Sequence, residues 1–114
     1  MTDKELLQLA MKAAGIQQYD PENAGDEIWI ITTDNGWGLA LWDPLNDDGD
    51  ALRLAMKLSI SIFVNGMHVN ADCRYCQEDI GYFEENSARN DGCIFKAARR
   101  AIVRAAAGIG GLMP

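Results

Sequence analysis

Residues 59–73 read Ser59-Ile60-Ser61-Ile62-Phe63-Val64-Asn65-Gly66-Met67-His68-Val69-Asn70-Ala71-Asp72-Cys73. Two alternating runs rich in β-branched residues flank Asn65-Gly66, the pair that a type I′ turn requires because both of its central residues take positive φ. The stretch therefore reads as a β-hairpin with Asn65 and Gly66 as the loop. That register sets Val64 opposite Met67, Ile62 opposite Val69 and Ile60 opposite Ala71, all on one face. Ser59, Ser61, Phe63, His68, Asn70 and Asp72 fall on the other. One apolar face and one mostly polar face is the pattern of an antiparallel pair covered on one side only.

Upstream of this hairpin, Asp47 or Asp48 can cap a helix running to about Leu58, with Asp50 favourable in its first turn. Ala51, Leu54, Ala55 and Leu58 share one face of it, and Leu52 and Met56 broaden that face. Further upstream, residues 27–33 (EIWIITT) and 37–42 (WGLALW) surround the turn signal Asp34-Asn35-Gly36 and predict a second hairpin. Ile28 and Ile30 alternate with Trp29 and Ile31, so apolar groups lie on both faces and predict a sheet covered on both sides. Residues 17–26 contain Pro, Asn and Gly and read as loop. The first helix spans 2–14, opened by a capping box of Thr2 and Glu5 and stopped by Gly15.

Downstream, residues 74–91 show no convincing period, which marks a functional loop, a mobile segment or a disguised strand. The last helix runs from about Cys93 to Ala107. Ile94, Ala98, Ala101, Ile102 and Ala105 form its apolar stripe, opposite Lys96, Arg99, Arg100 and Arg104. Gly108, Gly110 and Gly111 are expected to end it. The order helix, hairpin, helix, hairpin, helix predicts one α+β sandwich domain over 1–114, with a four-stranded, largely antiparallel sheet.

The whole chain of 114 residues fits that single domain. Hydrophobic residues at 48% and charged residues at 24% exclude wholesale disorder. Ten Lys+Arg against 17 Asp+Glu give a net charge of −7, which argues against a nucleic-acid or membrane-surface binder. The average conceals two unlike parts. Residues 1–88 hold 16 acids and 5 bases, whereas 89–114 hold 5 bases and Asp91 alone. The basic stripe of the last helix could touch phosphate, but a solvated face near a helix C-terminus or a set of partners for the acidic body explains it more simply. Three cysteines cannot close a complete disulfide framework, and the charged opening MTDKELLQLA does not resemble a secretory leader. No apolar run reaches the roughly 18 residues of a membrane span. The expectation is a cytoplasmic chain.

Four stretches invite chemistry. Asp43, Asp47, Asp48 and Asp50 place four carboxylates within eight residues, yet an EF-hand register through Gly49 would put Pro44 and Ala55 at ligand positions. Helix capping explains these aspartates more simply, and their exposed charge, with neighbouring Trp42, makes them the expected binding surface for a partner. Cys73, Cys76 and Cys93 with His68 could form a Cys₃His zinc site. His68 and Cys73, however, fall on opposite faces of a regular strand, and small buried cysteines need no metal. The Cys73-x-x-Cys76 pair lacks the strand-to-helix setting of a thioredoxin motif. His68 with Asp72 and a serine such as Ser59 or Ser61 could be drawn as a triad, but no nucleophile elbow or oxyanion loop accompanies them. Gly36-Trp37-Gly38 and Gly108-Ile109-Gly110-Gly111 are not phosphate loops, because neither leads into a helix N-terminus. No residue is assigned a catalytic role and no cofactor is expected.

The run Trp42-Asp43-Pro44-Leu45-x-Asp47-Asp48-Gly49-Asp50-Ala51-Leu52-Arg53-Leu54-Ala55 resembles a recurrent signature of small phage and prophage proteins with the phage ABA sandwich domain. Lys4-Glu5-Leu6-Leu7 through Ala13-Ala14-Gly15-Ile16 is similar to that family's first helix, and Arg99 to Ala107 to its last. Residues 17–35 and 73–92 carry no resemblance. Gly108 departs from the helix-favouring residue that similar sequences keep. The resemblance implies a phage-encoded protein with helices on both faces of a sheet and no assigned activity. The functional expectation is a non-catalytic accessory protein that contacts a host or phage protein in the host cytoplasm, in host takeover or counter-defence. A small zinc module and a small enzyme with a pocket at His68, Asp72 and residues 74–91 are the alternatives, and self-association stays open.

Overall fold

A computed structural model describes residues 2–19, 27–32, 38–73 and 82–113. Among these residues the chain forms three α-helices and six strands, in the order α1 (Asp3–Ala14), β1 (Gln18–Tyr19), β2 (Trp29–Thr32), β3 (Gly38–Leu41), α2 (Asp48–Lys57), β4 (Ile60–Asn65), β5 (His68–Cys73), β6 (Tyr82–Asn86) and α3 (Ile94–Gly111), with a 3₁₀ turn at Ser87–Arg89. The α+β class holds, but the single four-stranded sheet does not. The strands form two antiparallel sheets of three, ordered β1-β2-β3 and β4-β5-β6. Each expected hairpin gains a strand from a stretch without visible periodicity. β1 is too short to display a period, and β6 hides its own because Glu85 takes an inward position.

The helices start and stop as their capping residues dictate. Thr2 Oγ1 accepts a hydrogen bond from Glu5 N at 3.2 Å, and Asp47 Oδ2 accepts one from Asp50 N at 2.8 Å. Both satisfy amides that have no partner within the helix. Gly15 closes α1 in the left-handed region at φ +66°, with its N–H on Lys12 O and that of Ile16 on Met11 O. In α2, Ala51, Leu54 and Ala55 are buried, whereas Leu52 and Met56 are bare. Met56 lies about 200° round the helix from Leu54 at 100° per residue, so it turns away from the core rather than broadening the buried face.

The largest departure is α3. It does not dissolve at Gly108 but continues to Gly111. Gly110 is buried, and a Cβ there would meet the Leu9 carbonyl oxygen at 2.0 Å and the carbonyl carbon at 2.8 Å. The glycine is thus what lets α1 and α3 cross in backbone contact, and the packing outweighs the poor helix propensity of Gly. Ala97, Ala101, Val103 and Ala106 have no exposed surface, and Ile102, Ala105 and Ala107 have 4% or less. α3 is therefore the central element, in contact with α1, α2 and all three strands of the β4–β6 sheet.

The second hairpin keeps its expected faces but slips by two residues. Asn65 pairs with His68, Val64 with Val69, Ile62 with Ala71 and Ile60 with Cys73. The loop residues are Gly66 and Met67, with Gly66 at φ +61° followed by a residue of negative φ, the type II′ arrangement. Because the slip is even, Val69 and Ala71 still face α3 with no exposed surface. In the first hairpin, Trp29 pairs with Leu41 and Ile31 with Leu39. The turn read at 34–36 lies outside the described residues. Ile28, Ile30 and Trp42 join the core, whereas Leu39 and Leu41 are 39% and 49% exposed. The second face is thus open at Leu39 and Leu41, against the expectation of a sheet covered on both sides.

Candidate functional site

The acidic turn follows β3 directly. Trp42 is buried at 5% exposure and Pro44 more deeply still, so Trp42 anchors the turn in the core rather than offering a surface. Its place in the expected binding set is corrected accordingly. The backbone then folds on Asp43, whose carbonyl accepts from Asn46 N and Asp47 N while its carboxylate accepts from Asn46 Nδ2. Asp50 Oδ2 reaches back to Asp43 N at 2.9 Å, and Asp50 Oδ1 takes Arg53 Nη2 at 2.7 Å. Asp47 caps α2, with Arg53 3.8 Å away. Arg99 of α3 clamps the turn from below, donating Nε to Leu45 O at 2.8 Å and Nη1 to Asp48 at 2.6 Å.

Each aspartate thus has a local structural task. Asp47 and Asp48 remain well exposed, while Asp50 is mostly enclosed. The turn is a negatively charged knob made rigid by its own carboxylates.

The cations of α3 face these acids and others. Arg100 pairs with Asp3 at 3.0 Å, and Arg104 contacts Glu85 while lying 5.4 Å from the centroid of Phe83. Lys96 pairs with Asp91, and its ammonium holds that carboxyl below the ordinary carboxylate value, by hydrogen bond first and by charge second. The basic stripe is therefore a set of internal partners rather than a free cationic face.

On the outer face of the β4–β6 sheet, His68 Nδ1 lies 2.7 Å from Glu84 Oε1 of β6. The sequence pointed to Asp72 for this role, and Glu84 was missed because β6 was not legible as a strand. The pair holds the ring by its Nδ1 side, and both side chains are about half exposed. Among the described residues no hydrogen bond joins His68 to Ser59 or Ser61, so the imagined triad is not assembled. Neighbouring Asn70 has a buried Oδ1 without a hydrogen-bond partner among the described residues.

Cys93 caps α3, its Sγ accepting from Lys96 N at 3.4 Å. Cys76 and the side chain of Cys73 lie outside the described residues. Among the described residues no three His, Cys, Asp or Glu side chains are placed to hold a metal. Nor is any described helix long and apolar enough to cross a membrane.

A surface that the sequence did not single out is the outer face of the β1–β3 sheet. Register places Tyr19, Trp29 and Leu41 in one row, with Ile31 and Leu39 in the next. Tyr19 is 42% exposed, and Leu39 and Leu41 are open as well. Apolar residues on both strand faces signalled burial, whereas Tyr19, Leu39 and Leu41 of one face are exposed and Trp29 and Ile31 beside them half-buried.

Compared with family models, curated proteins and solved structures, the chain finds no match.

Proposed function

We propose that this chain is a non-catalytic accessory protein of phage or prophage origin that works by contact with another protein in the host cytoplasm. The origin rests on the resemblance of residues 42–55 to the phage ABA sandwich signature. The contact rests on one observation, the exposed Tyr19, Leu39 and Leu41 on the sheet face they share with half-buried Trp29 and Ile31. Contiguous exposed apolar groups on a chain of this charge are the usual mark of a protein interface.

The acidic turn begins two residues beyond Leu41, so Asp43, Asp47 and Asp48 would form a charged rim to that apolar centre. The partner this arrangement fits is a protein with an apolar patch bordered by Lys or Arg. Rim charges steer and select such a partner, whereas the apolar centre holds it. Affinity capture from lysate of the bacterium that carries the gene tests the reading. Wild-type chain should retain a partner that a Leu39→Ser/Leu41→Ser variant of unchanged circular dichroism releases, and added salt should weaken capture. An empty column, or the same partner on the double variant, would overturn it.

A further inference from the structure

We infer that β4 is the dimerisation edge of this protein, and that its occupant is β4 of a second copy of the chain. The hairpin loop of Gly66 and Met67 closes on Asn65 and His68, which fixes the direction of every backbone group in β4. Ser61, Phe63 and Asn65 direct N–H and C=O toward β5. Ile60, Ile62 and Val64 direct theirs away from it, along the outer edge of the sheet. Among the described residues no strand pairs with that edge.

The side chains at the edge are apolar and open. Ile62 is 36% exposed, Phe63 48% and Val64 62%. Proteins usually guard such an edge with Lys, Pro, a bulge or an inward charge. β4 has none of these, and residues 58–67 contain no ionisable side chain at all. The opposite edge strand, β6, carries Glu84 and Glu85.

Neutrality is what favours a second copy as the occupant. At a net charge of −7, two chains repel through much of their surfaces, and residues 58–67 add no like charge to that repulsion. Antiparallel pairing about a two-fold axis is also self-complementary. Centred on Phe63, it sets Ile62 against Val64 of the other copy and Phe63 against its own counterpart. The outward N–H and C=O groups of Ile62 and Val64 then bond in reciprocal pairs, and the two sheets become one of six strands.

Sedimentation of the full chain over a range of concentrations, with amide hydrogen exchange on the same samples, tests the inference. The expected result is a species of twice the 12.5-kDa chain mass. Its formation should slow exchange at the amides of Ile62 and Val64. Val64→Lys and Val64→Pro should both be monomeric, the first by charge and the second by removing an outward N–H that no strand pairing among the described residues uses. The exchange measurement on wild type stands even where a variant fails to fold. A wild type that stays monomeric at millimolar concentration, or a dimer whose amides at 62 and 64 exchange as in the monomer, would overturn the inference. So would a dimer unaffected by folded Val64 variants.

Discussion

At Gly110 the separation of α1 and α3 is set by the absence of a side chain, since a methyl group would sit 2.0 Å from the Leu9 carbonyl oxygen. The obstacle is backbone on both helices, so neither side can yield by changing a rotamer. Gly110→Ala should therefore destabilise the fold by about 3 kcal/mol, the upper range for forcing extra volume into a packed contact. Gly111, one residue on, has nothing within 4 Å of a built Cβ. Gly111→Ala should be neutral or stabilising by about 0.5 kcal/mol, because alanine has less chain entropy to lose. Urea denaturation of the two variants distinguishes them, and equal midpoints would refute the close-approach account.

Among the elements, the start of α3 shows how a helix is anchored where the sequence offers no conventional cap. Cys93 occupies the capping position, and Asp91 and Gly92 before it take positive φ of 58° and 71°. The Asp91–Lys96 pair ties that reversal to the first turn of the helix. The carboxyl of Asp91 is held below its ordinary value of 3.8, so the pair supports the folded state above that value. Its contribution disappears as the pH falls through the lowered, folded-state pKa. A carboxyl titration followed by NMR should place Asp91 below 3.8 in the wild type. In Lys96→Met the midpoint should return to the ordinary range, and an unmoved midpoint would assign the shift elsewhere.

On the scale of the whole molecule, the uneven charge along the chain resolves into a pairing between its parts. Arg99, Arg100 and Arg104 bond to the acidic turn, to Asp3 of α1 and to Glu84 and Glu85 of β6. α3 is thus held to three other elements by its cations as well as by its apolar faces. Phosphates would have to displace these partners, so the cationic stripe is a poor nucleic-acid surface. Fluorescence anisotropy with duplex DNA should show no salt-sensitive binding at physiological ionic strength. A steep salt-dependent affinity would mean that the internal pairs open readily.

Local signals carried the local structure. The caps Thr2 and Asp47, the stop at Gly15 and the in-and-out faces of β4 and β5 follow from neighbours a few residues apart, and the sequence alone determined them. The acid-rich half and its basic counterpart were legible for the same reason. Other features depend on residues far apart in the chain. Glu85 faces inward only because Arg100 and Arg104 lie above it, which concealed β6 and with it the Glu84 partner of His68. Gly110 stays helical only because Leu9 crosses it. The hairpin loop moved from Asn65-Gly66 to Gly66-Met67, an even slip that leaves the same side chains on the core and so is invisible to periodicity. Which apolar faces stay bare was likewise decided in three dimensions. Trp42 and Leu41 are adjacent and equally hydrophobic to the eye, yet only the packing of other elements buries the first and leaves the second exposed.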